Sequence, residues 1–332
     1  MKDARLFYLF SMILLCGLGG ASLLMGLTQM EGLQALKALM GQGREAHILI
    51  MQDLRVPRLI LSLMIGATLG LGGAAMQGLL RNPLADPSVI GVTASAGLGA
   101  VVAIFFGLGA VVSFAIPMTA MIFAAVTCII LMVVMKKRGG ILTLILAGVA
   151  LSSIATALMS LMINFSGYSA TLQEMVLWLL GSLHNRSMND VYMSLPFMMI
   201  GWGLIFSVGR YIDAFSLGED GARSLGVDIQ SVQWRIVMGV ACSVGAAVAV
   251  CGAVGFIGLI VPHMMRYIFG AQPSRILLPS AVSGGLILTA ADMITRLDMG
   301  QGHLKLGVVT ALIGAPLFLY LVVKLRREGS FS

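Results

Sequence analysis

Asp292 and Arg296 are the clearest ionisable pair inside an apolar stretch of this 332-residue chain. Four residues apart, they fall on one helical face and can pair there. A proton- or ion-coupled carrier would place such groups near the bilayer midplane, where charge is costly and marks a pathway. Asp292 instead lies near the end of its apolar run, so a structural pairing with Arg296 is the favoured reading. The other chemistry-bearing residues are sparse. Cys16, Cys128, Cys242 and Cys251 sit in apolar runs without metal-ligand spacing and read as small packing residues. His47, His184 and His303 fall in loops and have no partner at ligand spacing. The sequence contains no GxxxxGK[ST] phosphate loop, no HExxH and no nucleophile–base set. Bond chemistry has no visible carrier, so active transport would draw its energy from another polypeptide.

The elements that must hold these residues are membrane spans. The chain is 58% hydrophobic and 11% charged, with mean hydropathy +0.98. A soluble domain carries about a quarter charged residues, and one span of the hydrocarbon core needs roughly 20 apolar residues. Charge-free runs predict helices at Leu6–Met30, Leu59–Leu80, two within Ser88–Met135 split near Gly107–Gly109, and Ile141–Phe165. Further runs follow at Val191–Val208, Val232–Cys251, Phe256–Ile268, Ile276–Ile294 and Leu306–Val323. Met175–Leu183 is too brief to cross and predicts an interfacial or re-entrant helix. The expectation is an all-α polytopic membrane protein of about ten transmembrane helices, one domain over residues 1–332. Leu6–Met30 exceeds a signal-peptide core of ~7–15 residues and lacks a convincing cleavage site, so it reads as a retained first helix.

Ten crossings put both termini on one side. With the N-terminus inside, inner segments collect Lys2, Arg5, Arg81, Lys136, Lys137, Arg138 and most other bases. Outer segments keep Lys37, Arg44, Arg55, Arg58, Arg186, Arg296 and Lys305. Basic residues favour cytoplasmic loops, so both ends are expected in the cytoplasm. The formal net charge of +7 is dispersed through short loops, without a basic domain of the kind nucleic-acid binding requires.

Arg55 to Ala100 reads RVPRLILSLMIGATLGLGGAAMQGLLRNPLADPSVIGVTASAGLGA. Two arginines head a glycine-rich span, which breaks on Arg81–Pro87 and restarts at once. Gly66-xxx-Gly70 and Gly72-Gly73-Ala74-Ala75 give one helix a face without bulk, and Gly245-Ala246-Ala247 with Gly252 do so later. Such faces let helix backbones approach closely in lipid. Met64, Met76, Met159 and Met162 read as gap fillers, with the lining of a wide pathway as the alternative. Gln77–Pro83 and Gly258–Arg266 share a small-residue helix ending in a Pro-punctuated basic break, the trace an inverted repeat would leave. The longest polar inner connection runs from Arg210 to Arg235. Within it Leu217, Gly218, Glu219, Asp220, Ala222, Arg223, Leu225 and Gly226 belong to a short amphipathic helix between glycine turns. It suits the groove of a soluble partner; an ordinary solvated loop is the alternative.

The RNPLADP break with its preceding glycine-rich helix, LGEDGARSLGV, GFIGLIVPHMMR (Gly255–Arg266) and LGVVTALIGAPLFLYLV (Leu306–Val322) occur in the right order over nearly the whole chain. Together they resemble the permease subunit of binding-protein-dependent ABC importers for iron-siderophores, haem and cobalamin. The resemblance implies a type II importer permease fold in the bacterial inner membrane. It implies a second copy of the chain, two ATP-binding subunits and a periplasmic substrate-binding protein as partners. It implies no cofactor on this chain, with ATP and Mg held by the partner subunits, and no enzymatic activity of its own. Residues 213–230 become the segment that docks on the ATPases. Arg55, Arg58 and Arg296 match arginines that grip acidic residues of the binding protein; headgroup snorkelling is the alternative. The cytoplasmic gate falls near Asn82–Leu84 and Ile141, Leu142 and Thr143. The family keeps a Pro-His pair at Pro262-His263 whatever the substrate, so His263 reads as structural. The expected cargo is an iron chelate, siderophore or haem. Cobalamin is the alternative within the fold, and an ion-coupled secondary transporter is the alternative from another class.

Overall fold

Apolar runs become helices in lipid because only a helix satisfies each backbone N–H and C=O within its own segment. The computed structural model describes residues 2–26, 28, 30–112, 114–136, 140–167, 169–297 and 304–327. Lys137, Arg138 and His303 lie outside the described residues. Helix α1 spans Lys2–Leu24, and the short α2 spans Gly32–Leu39. Helix α3 (Glu45–Leu49) widens into a π turn, Ile50–Arg55, and continues as α4 (Val56–Leu80). A 3-10 turn, Pro87–Ile90, leads to α5 (Val92–Phe105), then α6 (Leu108–Val111) and α7 (Ala115–Lys136). Helices α8 (Ile141–Phe165), α9 (Ser169–Leu179) and α10 (Met188–Ser207) follow. The connection after α10 holds α11 (Gly209–Ile212), a 3-10 turn (Asp213–Leu217) and α12 (Gly218–Ser224). The chain closes with α13 (Ile229–Cys251), α14 (Ile257–Phe269), α15 (Pro273–Ile294) and α16 (Leu306–Arg327).

Among the described residues, seven helical stretches are long and apolar enough to cross a membrane, and α5, α14 and α16 are shorter apolar helices. These match the ten predicted runs in order. Two details differ from the hydropathy reading. The connection between the first two spans is not a plain loop, because α2, α3 and the π turn occupy it. The short helix runs from Ser169 to Leu179 rather than from Met175 to Leu183, since Gln173 and Glu174 interrupt the apolar signal but not the helix. Beyond it Gly181 turns the chain at φ +71°. Backbone bonds then join Ser182 N–H to the Cys251 carbonyl (2.7 Å), Leu306 N–H to Gly181 (3.0 Å) and Gly307 N–H to Leu180 (3.0 Å).

Helices α4, α13 and α15 are buried along most of their length, whereas α1 and α8 present most of their surface outward. Glycine explains how α4 sinks so deep. Gly66 lies against the backbone of Gly284, Gly70 against the Ser280 carbonyl, and Gly73 against Gly258; a Cβ at any of them would strike backbone. Close approach of this kind replaces the hydrophobic drive that lipid cannot supply. Hydrogen bonds join the same helix pairs, Ser62 with Thr289 (2.9 Å) and Gln77 to the Leu259 carbonyl (3.0 Å), and the Trp202 indole ties α10 to α4 at Thr68 (2.9 Å). The two Pro-punctuated breaks noted in the sequence therefore meet, with Gln77 on one and Leu259 on the other, and Gly73, one turn before the first, lies against Gly258.

Candidate functional site

The candidate functional residues gather at the two ends of the α4–α15 pair. At the end where α4 begins, the π turn delivers Arg55 to the C-terminal carbonyls of α1. Its guanidinium donates to Leu23 (2.6 Å), Leu24 (3.1 Å) and Thr28 (2.6 Å). Helix C-termini leave carbonyls without intrahelical partners, and a cation there also meets the negative end of the dipole. One turn on, Arg58 Nε and Nη2 fork onto both oxygens of Asp292, at 2.9 Å each for the closest contacts, and Nη2 reaches Thr295 Oγ1 at 2.9 Å. Arg296 approaches the same carboxylate from its own helix, Nη2 to Oδ2 at 2.6 Å, and donates through Nη1 to the Ser22 carbonyl at 2.6 Å.

Asp292 is fully buried and serves two arginines at once. The Asp292–Arg296 pairing read from their spacing is present, and Arg58 is the partner that spacing could not reveal. Three guanidiniums against one carboxylate leave the cluster net positive. It lines a recess of about 250 Å³ whose wall also carries Gly26, His184, Asn185 and Lys305. The three arginines predicted to dock a partner are thus brought together, but their donors engage internal acceptors and they do not stand as free arms.

At the other end, the residues expected to couple to a partner divide into anchors and surface. Phe215 and Ala222 are fully buried. Leu217 and Leu225 are about two-thirds exposed (66% and 64%), and Asp220 and Arg223 are exposed beside them. Gly218 (φ +91°) and Gly226 (φ +77°) bound α12 in left-handed conformations that favour glycine. Glu219 and Asp220 sit in the first turn, where the helix dipole favours anions, and Arg223 in the last. Two unpartnered leucines flanked by charges of both signs make a small amphipathic knob. Asp213, just before it, is clasped to the start of α15. Its Oδ1 accepts from Ser274 N–H (2.8 Å), and its Oδ2 accepts from Ser274 Oγ (2.6 Å) and Gln272 Nε2 (2.7 Å). Nothing in the local sequence pattern announced that clasp.

The predicted gate begins where α4 ends. Arg81 takes a left-handed conformation (φ 50°), and Asn82 Oδ1 accepts from Leu84 N–H at 2.9 Å, which fixes the turn. Asp86 Oδ1 accepts from Ser88 N–H (2.9 Å) and caps the following 3-10 turn. Burial pushes the Asp86 carboxyl above the usual range, against the opposing effect of the Ser88 hydrogen bonds. Contact with α8 runs through Val89, Ile90 and Gly148, two turns further along α8 than Ile141, Leu142 and Thr143. Leu142 is exposed at 68%.

Among the described residues no group of three His, Cys, Asp or Glu could hold a metal ion. Comparison with known proteins places these features in context. The sequence model of the FecCD transport family matches residues 12–324. The vitamin B12 import system permease protein BtuC of Vibrio cholerae is 39% identical over 277 residues, covering 82% of each chain. The cobalamin import system permease protein BtuC of Halobacterium salinarum is 38% identical over 282 residues, 84% of this chain and 74% of that one. A solved inward-facing ABC transporter assigned to the metal-chelate type superposes with a TM-score of 0.86 at 28% identity, covering 97% of this chain and all of the other.

Proposed function

The chain belongs to the FecCD transport family, and on that premise we propose that its cargo is cobalamin. It is a multi-pass ABC importer permease, the transport component and not the ATPase. The observation that carries the cargo is the likeness to two cobalamin-import permeases from distant organisms over about four-fifths of the chain. The iron chelate expected from sequence becomes the second reading, favoured by the likeness to a transporter of the metal-chelate type. An ion-coupled carrier finds no support in Asp292, whose carboxylate is committed to two arginines.

Two copies of the chain would enclose the pathway, with Asn82, Leu84, Ile141, Leu142 and Thr143 at the cytoplasmic gate. Both termini would face the cytoplasm of a bacterial cell, across its inner membrane. Two ATP-binding subunits, which hold ATP and Mg, would seat on Leu217, Asp220, Arg223 and Leu225, while Gly218, Glu219, Ala222 and Gly226 shape and anchor α12. A periplasmic binding protein would meet the cationic recess of Arg55, Arg58, Arg296 and Lys305, whose positive field suits acidic side chains. Such fields steer encounter and fix orientation more than they add affinity.

The test is uptake by liposomes holding this chain, its ATPase subunits and its binding protein, offered cobalamin, a ferric siderophore and haem in parallel. ATP-dependent accumulation of cobalamin alone, lost without the binding protein, is the expected result. Accumulation of an iron chelate instead would transfer the assignment to the second reading, and gradient-driven uptake without ATP would end both.

A further inference from the structure

We propose that Asp213 is the joint through which the coupling segment moves α15 and the gate-bearing end of α4 as one rigid unit. The inference rests on the importer reading and asks how a push on α12 reaches the rest of the chain. Both carboxylate oxygens of Asp213 are engaged, and every bond goes to the first residues of α15 or the residue before it: Ser274 N–H, Ser274 Oγ and Gln272 Nε2. An ionised acceptor with three short donors is among the stronger ties a protein surface offers. The bonds bridge about 60 residues of sequence, so they join two elements rather than decorate one.

The same junction takes in α4. A Cβ placed on Gly78 would lie 2.5 Å from Ile212 Cγ2 and 3.1 Å from Pro273 Cβ. The residue before Asp213 and the residue before Ser274 therefore both press on the last turn of α4. Three residues later comes Arg81, whose Nη1 would lie 3.6 Å from a Cβ at Gly218, the first residue of α12. Asn82 and Leu84 of the gate follow directly.

Rigidity carries the argument onward. Helices α4 and α15 touch backbone to backbone at Gly66–Gly284 and Gly70–Ser280, where there are no side-chain rotamers to absorb a displacement. Their outer ends are clamped by Arg58 and Asp292. With 22 residues, α15 reaches about 33 Å, enough to cross the hydrocarbon core of about 30 Å. A unit tied at the inner end, welded in the middle and clamped at the outer end shifts as a body. Asp213 is accordingly a positioning residue for coupling, acting through Ser274 and Gln272.

The experiment uses the full complex in liposomes and reads two quantities: ATPase stimulation by binding protein saturated with cyanocobalamin, and cobalamin moved per ATP hydrolysed. Asp213→Ala should lower both by about 10-fold, within the ordinary range of coupling between sites, while the ATPase subunits still co-purify. Asp213→Asn, which keeps an acceptor for Ser274 N–H, should recover at least half of each. The paired change Gln272→Ala with Ser274→Ala leaves the coupling segment untouched, removes both side-chain donors while keeping the Ser274 N–H bond, and should reproduce most of the Asp213→Ala loss; it decides alone if Asp213→Ala fails to assemble. Unchanged stimulation in Asp213→Ala, or a loss that the Gln272/Ser274 pair does not share, would overturn the joint. Absence of ATP-driven uptake in the wild-type complex is a separate failure, of the importer reading itself, and would take the joint with it.

Discussion

Arg58 and Asp292 stand 234 residues apart in sequence, yet the guanidinium forks onto the carboxylate with contacts of 2.9 Å. Arg296 shares the same acceptor at 2.6 Å. The carboxylate thus fastens the start of α4 to the end of α15 and holds two like charges near each other.

Removing that carboxylate should be costly. Asp292→Ala leaves two largely buried arginines without their counter-charge, a loss on the order of 3–5 kcal/mol for a broken buried pair. The expected outcome is a clear fall in thermal midpoint in detergent, larger than for Arg186→Ala, whose 3.7 Å pair with Asp190 is partly exposed. Equal midpoints for the two variants would contradict the fastening role.

The glycine contacts make a sharper steric statement. Gly73→Ala sets a methyl against the Gly258 backbone, whereas Gly17→Ala on α1 meets nothing within 4 Å. Overpacking of this kind costs about 1–3 kcal/mol. Size-exclusion profiles and melting curves should show Gly73→Ala depleted or destabilised, with Gly17→Ala at wild-type levels.

Docking of the binding protein calls for a variant that spares the arginine–carboxylate cluster. Lys305 lines the same recess, and Lys305→Glu changes its charge by two without touching Asp292. The association rate should fall severalfold at low salt and converge on wild type as ions screen the field. Arg55→Glu with Arg58→Glu should weaken capture further, but it should also lower the melting point, because both residues hold internal acceptors. A normal rate for Lys305→Glu at low salt would remove the recess from the docking surface.

Coupling to the ATPases has its own signature. Gly226→Val forces a β-branched residue to φ +77° at the end of α12, a cost of roughly 1–2 kcal/mol borne by one exposed turn. Together with Glu219→Lys and Asp220→Lys, it should cut transport per ATP while the fold survives. ATP consumption measured beside uptake checks this, and an unchanged ratio would argue that α12 is a bystander.

Asp86 supplies a pH dependence. Burial raises its native carboxyl above the ordinary value of about 3.9, so the native state holds this proton more tightly than the unfolded chain does. The stabilising share is present at low pH and is lost as pH rises from the ordinary value through the raised native one. Asp86→Asn, which keeps a capping oxygen for Ser88, should be more stable than wild type at neutral pH. The gap should close on acidification, and melting curves across that range test it; a gap that widens instead would reverse the sign.

Hydropathy and charge disclosed, in order, the ten apolar helices found among the described residues, because lipid penalises polar side chains and unpaired backbone alike. Local signals also sufficed for the α12 knob, since Gly218 and Gly226 punctuate it, and for the Asp292–Arg296 pair at helical spacing. What escaped was either polar or distant. Gln173 and Glu174 hid the first turns of α9, and the π turn at Ile50–Arg55 follows no periodicity that a sequence displays. Arg58 on Asp292 and Ser274 on Asp213 depend on which helices become neighbours, and that is settled by glycine-to-backbone contacts spread over three separate segments. For the same reason the internal acceptors of Arg55, Arg58 and Arg296 on neighbouring helices could not be read from the sequence.

The seam that ties Leu180–Ser182 to Cys251, Leu306 and Gly307 is made of peptide groups alone. Alanine scanning would pass over it unnoticed, since no ordinary side-chain truncation deletes a main-chain donor. Deuterium labelling would see it at once: the amides of Ser182, Leu306 and Gly307 should exchange slowly despite lying where helices end and water begins. Their rate of exchange, followed through a transport cycle, would time the parting of this seam without a single mutation.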